Sequence, residues 1–228
     1  IDGSDTDSGL TEALAWQTIA KVNAATFAAG DSVLFNRGDT FNDARLEIDT
    51  DNLTVSAYGT GVNPIFFVPN ASNRNAIRVM AAAQGVTISN VTIDGNKANQ
   101  TTGANGLATE IIQGAVTITG VTVHDTYHSG IYLNGCDGAT VTGCTVTDAG
   151  ADGTDVNTVG MGINITNCRN VLVDGNTVTG SNSNGIFSYD GANYHMTNIV
   201  ISNNDISGVV KTGMSCIHLF EIDSGSIT

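Results

Sequence analysis

From Val86 onward, apolar and polar positions follow a two-beat alternation that breaks and restarts along the chain. Five copies carry it: Val86-Thr-Ile-Ser-Asn-Val-Thr-Ile93, Val116-Thr-Ile-Thr-Gly-Val-Thr-Val123, Ala139-Thr-Val-Thr-Gly-Cys-Thr-Val146, Val171-Leu-Val-Asp-Gly-Asn-Thr-Val178 and Ile199-Val-Ile-Ser-Asn-Asn-Asp-Ile206. A period of two sends alternate side chains to opposite faces, so each copy predicts two short strands joined by a corner. The corner residue is Asn90, Gly120, Gly143, Gly175 or Asn203. Glycine and asparagine tolerate the left-handed backbone region that most residues avoid, so the pattern predicts one left-handed kink per copy.

A further strand, opened by glycine and an apolar residue, lies between copies at Gly130-Ile-Tyr-Leu133, Gly162-Ile-Asn-Ile165, Gly185-Ile-Phe-Ser188 and Gly213-Met-Ser-Cys216. Ala76-Ile-Arg-Val79 and Gly106-Leu-Ala-Thr109 fill the same slot less regularly. The closing apolar residues Ile93, Val123, Val146, Val178 and Ile206 are separated by 30, 23, 32 and 28 residues, which accommodates three strands and three corners per lap. A fixed strand pattern with a variable period places insertions in the corners while the strands stack.

These features predict an all-β fold: a right-handed single-stranded parallel β-helix occupying residues 1–228 as one domain. Residues 1–45 read as an N-terminal cap and lead-in, and residues 46–228 as stacked rungs. In the lead-in, Leu14, Ile19, Val22 and Phe27 fall near one face of a single amphipathic helix from Thr11 to Phe27. Strand-like segments follow at 33–35, 46–48, 53–58 and 65–68. Asn176 and Asn204 align and predict an internal amide ladder. Cys136 and Cys168, each five residues beyond Ile131 and Ile163, predict stacking on adjacent laps, as buried thiols or at disulfide distance. Cys144 falls in the inward slot of Val91 and Val121.

Composition narrows the partners. Asp and Glu total 22 against 8 Lys and Arg, a formal net charge of -14, which repels phosphate backbones and argues against nucleic acid. No apolar run approaches the ~18 residues of a membrane span. The chain opens at Ile1 directly in polar sequence, as a mature or trimmed product does. The acidic, Asn- and Thr-rich surface points to a secreted or cell-surface protein.

Gly3-Ser-Asp-Thr-Asp-Ser-Gly-Leu10, Ala15-Trp-Gln-Thr-Ile-Ala-Lys-Val-Asn23 and Ala29-Gly-Asp-Ser-Val-Leu-Phe-Asn-Arg-Gly-Asp-Thr-Phe41 resemble the opening of secreted pectate-lyase-like proteins, and the later corner units resemble their repeats. The resemblance implies the β-helix and a polysaccharide partner. It leaves open polysaccharide lyase, glycoside hydrolase, uronan epimerase, phage tailspike and adhesin. The chain departs from the polygalacturonase pattern, lacking its Asn-Thr-Asp, Asp-Asp and Gly-His-Gly set, and shows no obvious lyase Arg or Lys cluster. Ile222-Asp-Ser-Gly-Ser-Ile-Thr228 reads as a further rung without a cap, which predicts that the protein continues or that copies associate end to end.

Candidate chemistry gathers in the corners. Asp125 and Asp148 each lie two residues beyond the stacked pair Val123 and Val146, which predicts that they are neighbours. With Tyr127 and His128 of His124-Asp-Thr-Tyr-His128, they form the candidate catalytic set: His128 or Tyr127 as base or acid, the carboxylates in support. Asp148, Asp152 and Asp155 form a candidate oxygen-ligand set for Ca²⁺. Lys97, Tyr189, Asp190, Tyr194 and His195 are candidate sugar contacts, through charge and ring stacking. The competing reading is that Asp, His and Tyr here simply form turns or anchor loops. Two functions compete accordingly: a β-eliminating polysaccharide lyase or related uronan-modifying enzyme, and a non-catalytic structural, adhesive or tailspike-like protein.

Overall fold

The computed structural model describes residues 3–81, 83–110, 114–151, 160–191, 195–220 and 222–228. The chain winds through three parallel sheets in rotation, each strand pairing with the strands one lap before and after it. The first sheet has eight strands, from Ser32–Asn36 to Gly225–Ile227. The second has seven, from Thr40–Phe41 to Asp205–Ser207, and the third seven, from Leu46–Ile48 to Ile217–Leu219. This is the right-handed parallel β-helix that the repeat predicts.

Register explains why the apolar alternation is so regular. Ile88, Ile118, Val141, Val173 and Ile201 pair in one inward column, and Ile93, Val123, Val146, Val178 and Ile206 in another. Most of these side chains are fully buried. Each contributes about 1.5–3 kcal/mol by leaving water, and a one-residue slip would turn the whole set outward.

All five predicted corners are left-handed: φ is 54° at Asn90, 61° at Gly120, 58° at Gly143, 64° at Gly175 and 53° at Asn203. The corner N–H groups of Gly120, Gly143 and Gly175 each donate to a carbonyl of the following lap, at Thr142, Asp174 and Ser202. A Cβ at Gly143 would meet no atom within 4 Å, so backbone conformation alone restricts that position. Gly143→Asn is therefore expected to change unfolding free energy by less than about 0.5 kcal/mol, whereas Gly143→Val lowers it by about 1–2 kcal/mol or more. Urea denaturation of the pair checks this, and equal losses would contradict it.

The amide ladder is present. Asn176 Nδ2 donates to Asn204 Oδ1 and to the Val141 carbonyl, both at 2.9 Å, and Asn176 Oδ1 accepts the Cys144 N–H at 2.9 Å. Asn204 Nδ2 continues to the Val173 carbonyl. Cys136 and Cys168 stack as expected, as free thiols, with the Cys136 N–H donating to Cys168 Sγ at 3.2 Å. Burial pushes the Cys144 thiol up to about 11.

The N-terminal region differs from the sequence reading in two respects. The single helix from Thr11 to Phe27 is instead a 3-10 turn, Glu12–Leu14, and a five-residue α-helix, Ile19–Asn23. Ala15 and Thr18 are extended, the Thr18 hydroxyl caps Lys21 N–H at 3.0 Å, and the Asp43 carboxylate takes the Ile19 and Ala20 N–H groups. These contacts restart the helix at Ile19 and turn Ile19 and Val22 into the core. The coil also begins earlier than residue 46, because Ser32–Asn36 and Thr40–Phe41 already pair with the next lap. Their corner spans Arg37-Gly38-Asp39 rather than one residue, which hides the repeat. At the far end, 225–227 pairs with 199–201 and continues the first sheet.

Candidate functional site

The corners after the second sheet form a further left-handed column, at Asp125, Asp148, Gly180 and Gly208. Asp125 and Asp148 are thus neighbours on adjacent laps, as expected, and the Asp125 N–H donates to the Thr147 carbonyl at 3.2 Å. Aspartate is one of the few non-glycine residues that tolerates this conformation. Turn formation accordingly accounts for the residue type; the Asp125 carboxylate lies 3.0 Å from His124 Nδ1, while Asp148 is exposed and its Oδ1 would lie 2.5 Å from a Cβ at Gly180. Lys97 joins them, its N–H donating to the Asp125 carbonyl at 2.8 Å and its Nζ to the Asp148 carbonyl at 2.9 Å. Its ammonium is held there by a backbone oxygen.

Tyr127 and His128 lie in the connection from the second sheet to the third, with ring centroids 6.5 Å apart and planes 12° from parallel. The His128 ring covers Gly103, where a Cβ would be 2.5 Å from its Nε2. Burial lowers the His128 pKa, which favours the neutral imidazole, able to accept a proton. Because the unfolded chain binds this proton more readily, the associated stability is present above about pH 6.5 and is lost as pH falls below it. Stability curves between pH 7 and 5 are expected to flatten in His128→Gln, and an unchanged slope would contradict the assignment.

Tyr189 ends a strand of the third sheet, is exposed, and stacks on Phe220 at 5.9 Å. Asp190 is buried and its Oδ2 accepts the His195 N–H at 3.0 Å, which fits a loop anchor better than a sugar contact. His195 is exposed, with Nδ1 3.0 Å from Asp223 Oδ2. Asp152, Asp155 and Tyr194 lie outside the described residues, so Asp148 is the one described member of the candidate Ca²⁺ set.

The sequence reading reached the outer face of the third sheet only at Tyr189 and missed its main row. Its outward row runs Glu47, Arg78, Ala108, Tyr132, Asn164, Phe187 and His218, in register on successive laps. At ~4.8 Å per lap, the stretch from Arg78 to His218 is roughly 24 Å long. The small side chain of Ala108 leaves a cleft of about 480 Å³, lined by residues including Asn75, Arg78, Asn105, Glu110, Tyr132 and Asn134. Small-molecule sites span ~300–1,000 Å³. Arg78 bridges Glu47 at 3.1 Å and Glu110 at 2.9 Å, while its Nε is buried and finds no partner among the described residues. Asn134 Oδ1 is likewise buried, with no partner among the described residues. Arg78 and Asn134 thus bring a guanidinium and an amide to one cleft.

Other groups of this face are tuned for defined protonation states. Arg45, hydrogen-bonded to Glu47 and with Arg78 beside it, holds that carboxyl below its usual range. Burial pushes the Tyr132 phenol up, so it stays protonated. Farther along, His218 makes edge-on contacts with Phe187 at 5.5 Å and Phe220 at 6.3 Å. The signal that reveals this row is the residue after Gly-Ile in three of the predicted strands, Tyr132, Asn164 and Phe187; it misses His218, because the strand expected at Gly213–Cys216 instead forms at Ile217–Leu219.

Solved structures share the fold. A lacto-N-biosidase from Eubacterium ramulus superposes with a TM-score of 0.69 at 17% identity over 91% of this chain and 44% of that one. The A-module of mannuronan C-5 epimerase AlgE6 from Azotobacter vinelandii gives 0.57 at 14% identity, over 92% and 70%. An alginate lyase from Paenibacillus sp. str. FPU-7 gives 0.51 at 12% identity, over 92% of both chains. The chain spans less than half the length of the lacto-N-biosidase, and at these identities the likeness is one of fold. No curated protein matches the sequence. The family model described as "Right handed beta helix region" matches residues 75–224, most of the chain, and the protein belongs to that family.

Proposed function

We propose that this chain is the carbohydrate-handling β-helix of a secreted protein, that its glycan lies along the outer face of the third sheet, and that its chemistry is β-elimination from, or related modification of, a uronic-acid polymer. The observation that carries the reading is the cleft over Ala108, which Arg78 lines together with the amide side chains of Asn75, Asn105 and Asn134 and the Tyr132 ring. Sugars offer hydroxyl donors and acceptors on one edge and apolar C–H faces on the other, which suits that mixture. Mannuronan and alginate appear in the names of two structural neighbours, in keeping with a uronan.

β-Elimination needs three groups. A cation must offset the carboxylate charge as the adjacent carbon loses its proton, and Arg78 supplies it. A base must take that proton, and His128 is the neutral imidazole available, with Tyr127 beside it. An acid must protonate the departing oxygen, and Tyr132 stays a phenol for that purpose. Asp125 and Asp148 support the wall through their corners. The acidic surface opposes a polyanion, so Ca²⁺ held by Asp148, Asp152 and Asp155 belongs to the same proposal, as a local reversal of the field.

A panel of uronic-acid polymers, with Ca²⁺ or with chelator, tests this through the absorbance of unsaturated product. A rise on at least one polymer is expected. A panel that is silent in both conditions while binding persists would overturn the lyase and favour an adhesive or tailspike-like glycan binder.

A further inference from the structure

The outer face of the second sheet carries a second cluster, which shares only the corner residue Asp125 with the proposed glycan site. Asp94 and His124 are paired residues on adjacent laps, and Asp125 follows His124 at the corner. His124 Nδ1 lies 3.0 Å from Asp125 Oδ2 and 3.9 Å from Asp94 Oδ1, and one donor atom from each of the three falls within 4.8 Å of the others. Two carboxylates facing one imidazole leave at least one negative charge uncompensated, whichever protonation state the imidazole takes. Among the described residues no Lys or Arg bridges either carboxylate. Lys97, the nearby ammonium described above, donates instead to the Asp148 carbonyl.

We propose that Asp94, His124 and Asp125 bind a first-row divalent transition metal ion of the Zn²⁺ or Mn²⁺ type. Ligands at ~2.0–2.2 Å from such an ion stand about 3–4 Å from one another, close to the separations already present. An imidazole nitrogen selects this class over Ca²⁺, which takes oxygen ligands only. The three side chains are half-buried, so the remaining coordination positions face solvent and hold water. Because Asp94 comes from one lap and His124 and Asp125 from the next, the ion clips two laps together from outside. Metal and fold are then linked: the ion binds the stacked laps and not the unwound chain, and it raises the melting temperature.

Calorimetric titration of the chelator-treated protein with Zn²⁺, Mn²⁺ and Ca²⁺ tests the site, with thermal melts alongside. One Zn²⁺ is expected to bind per chain and raise the melting temperature, with Ca²⁺ at least roughly tenfold weaker. His124→Ala and Asp94→Asn each weaken Zn²⁺ at least roughly tenfold, the second being near-isosteric so that folding is preserved. His195→Ala, which removes the exposed His195–Asp223 pair, leaves affinity unchanged. Electron spin echo of the Mn²⁺ form shows coupling to one imidazole nitrogen. Equal affinity in His124→Ala, equal loss in His195→Ala, or Ca²⁺ binding as tight as Zn²⁺ would overturn the assignment.

Discussion

Replacing Asn176 with alanine lowers the unfolding free energy by about 2–4 kcal/mol, read as a shift of the urea midpoint. The side chain is buried and serves two laps at once, accepting the Cys144 N–H while donating to the Val141 carbonyl and to Asn204 Oδ1. Alanine leaves the Cys144 N–H without its partner in a site too enclosed for easy hydration, and a cavity beside it. Each lap of a solenoid is held chiefly by its neighbours, so the loss is concentrated around residues 141–146 and 173–178, where amide exchange should accelerate first. A loss under about 0.5 kcal/mol would show that the ladder is incidental to stability.

Arg78→Ala is expected to reduce kcat/KM on a responsive uronan by roughly 10²-fold or more, the scale seen when one stabilising donor is removed from a reacting centre. Folding should change little, because the Glu47 and Glu110 pairs are partly exposed ion pairs worth at most ~1 kcal/mol each. Arg78→Lys restores only part of the rate, since an ammonium cannot present the planar fork that spans two carboxylates and a substrate. Tyr132→Phe separates binding from chemistry: the ring is kept and the phenolic proton lost, so kcat falls while KM holds. Wild-type turnover in both Arg78→Ala and Tyr132→Phe would remove the third-sheet assignment.

The coil was legible because its signal is local and repeated. Inward Ile and Val alternate with Thr, and each single-residue corner can be filled only by a residue that accepts positive φ, so Asn90, Gly120 and their equivalents announce themselves. The first lap was hidden by the three-residue corner at Gly38, and the lead-in was over-read as one helix because its apolar spacing does not reveal that the Thr18 and Asp43 side chains intercept the N–H groups of 19–21. The site was harder to see for a related reason. Outward positions obey no composition rule, and Arg78, Tyr132 and His218, spread over 140 residues of sequence, fall in one row only through register. Asp125 drew attention because it is charged, and the structure explains it first as a corner and then, with Asp94 and His124, as part of a cluster that requires pairing across laps.

The location of the glycan is best tested by backbone amide shift mapping during titration with a uronic-acid oligosaccharide. The largest changes are expected in 77–79, 107–109, 131–134 and 163–166, the strands that floor and extend the cleft. Saturable binding whose perturbations gather on the outer faces of the first or second sheet, and leave those four strands still, would contradict the proposal.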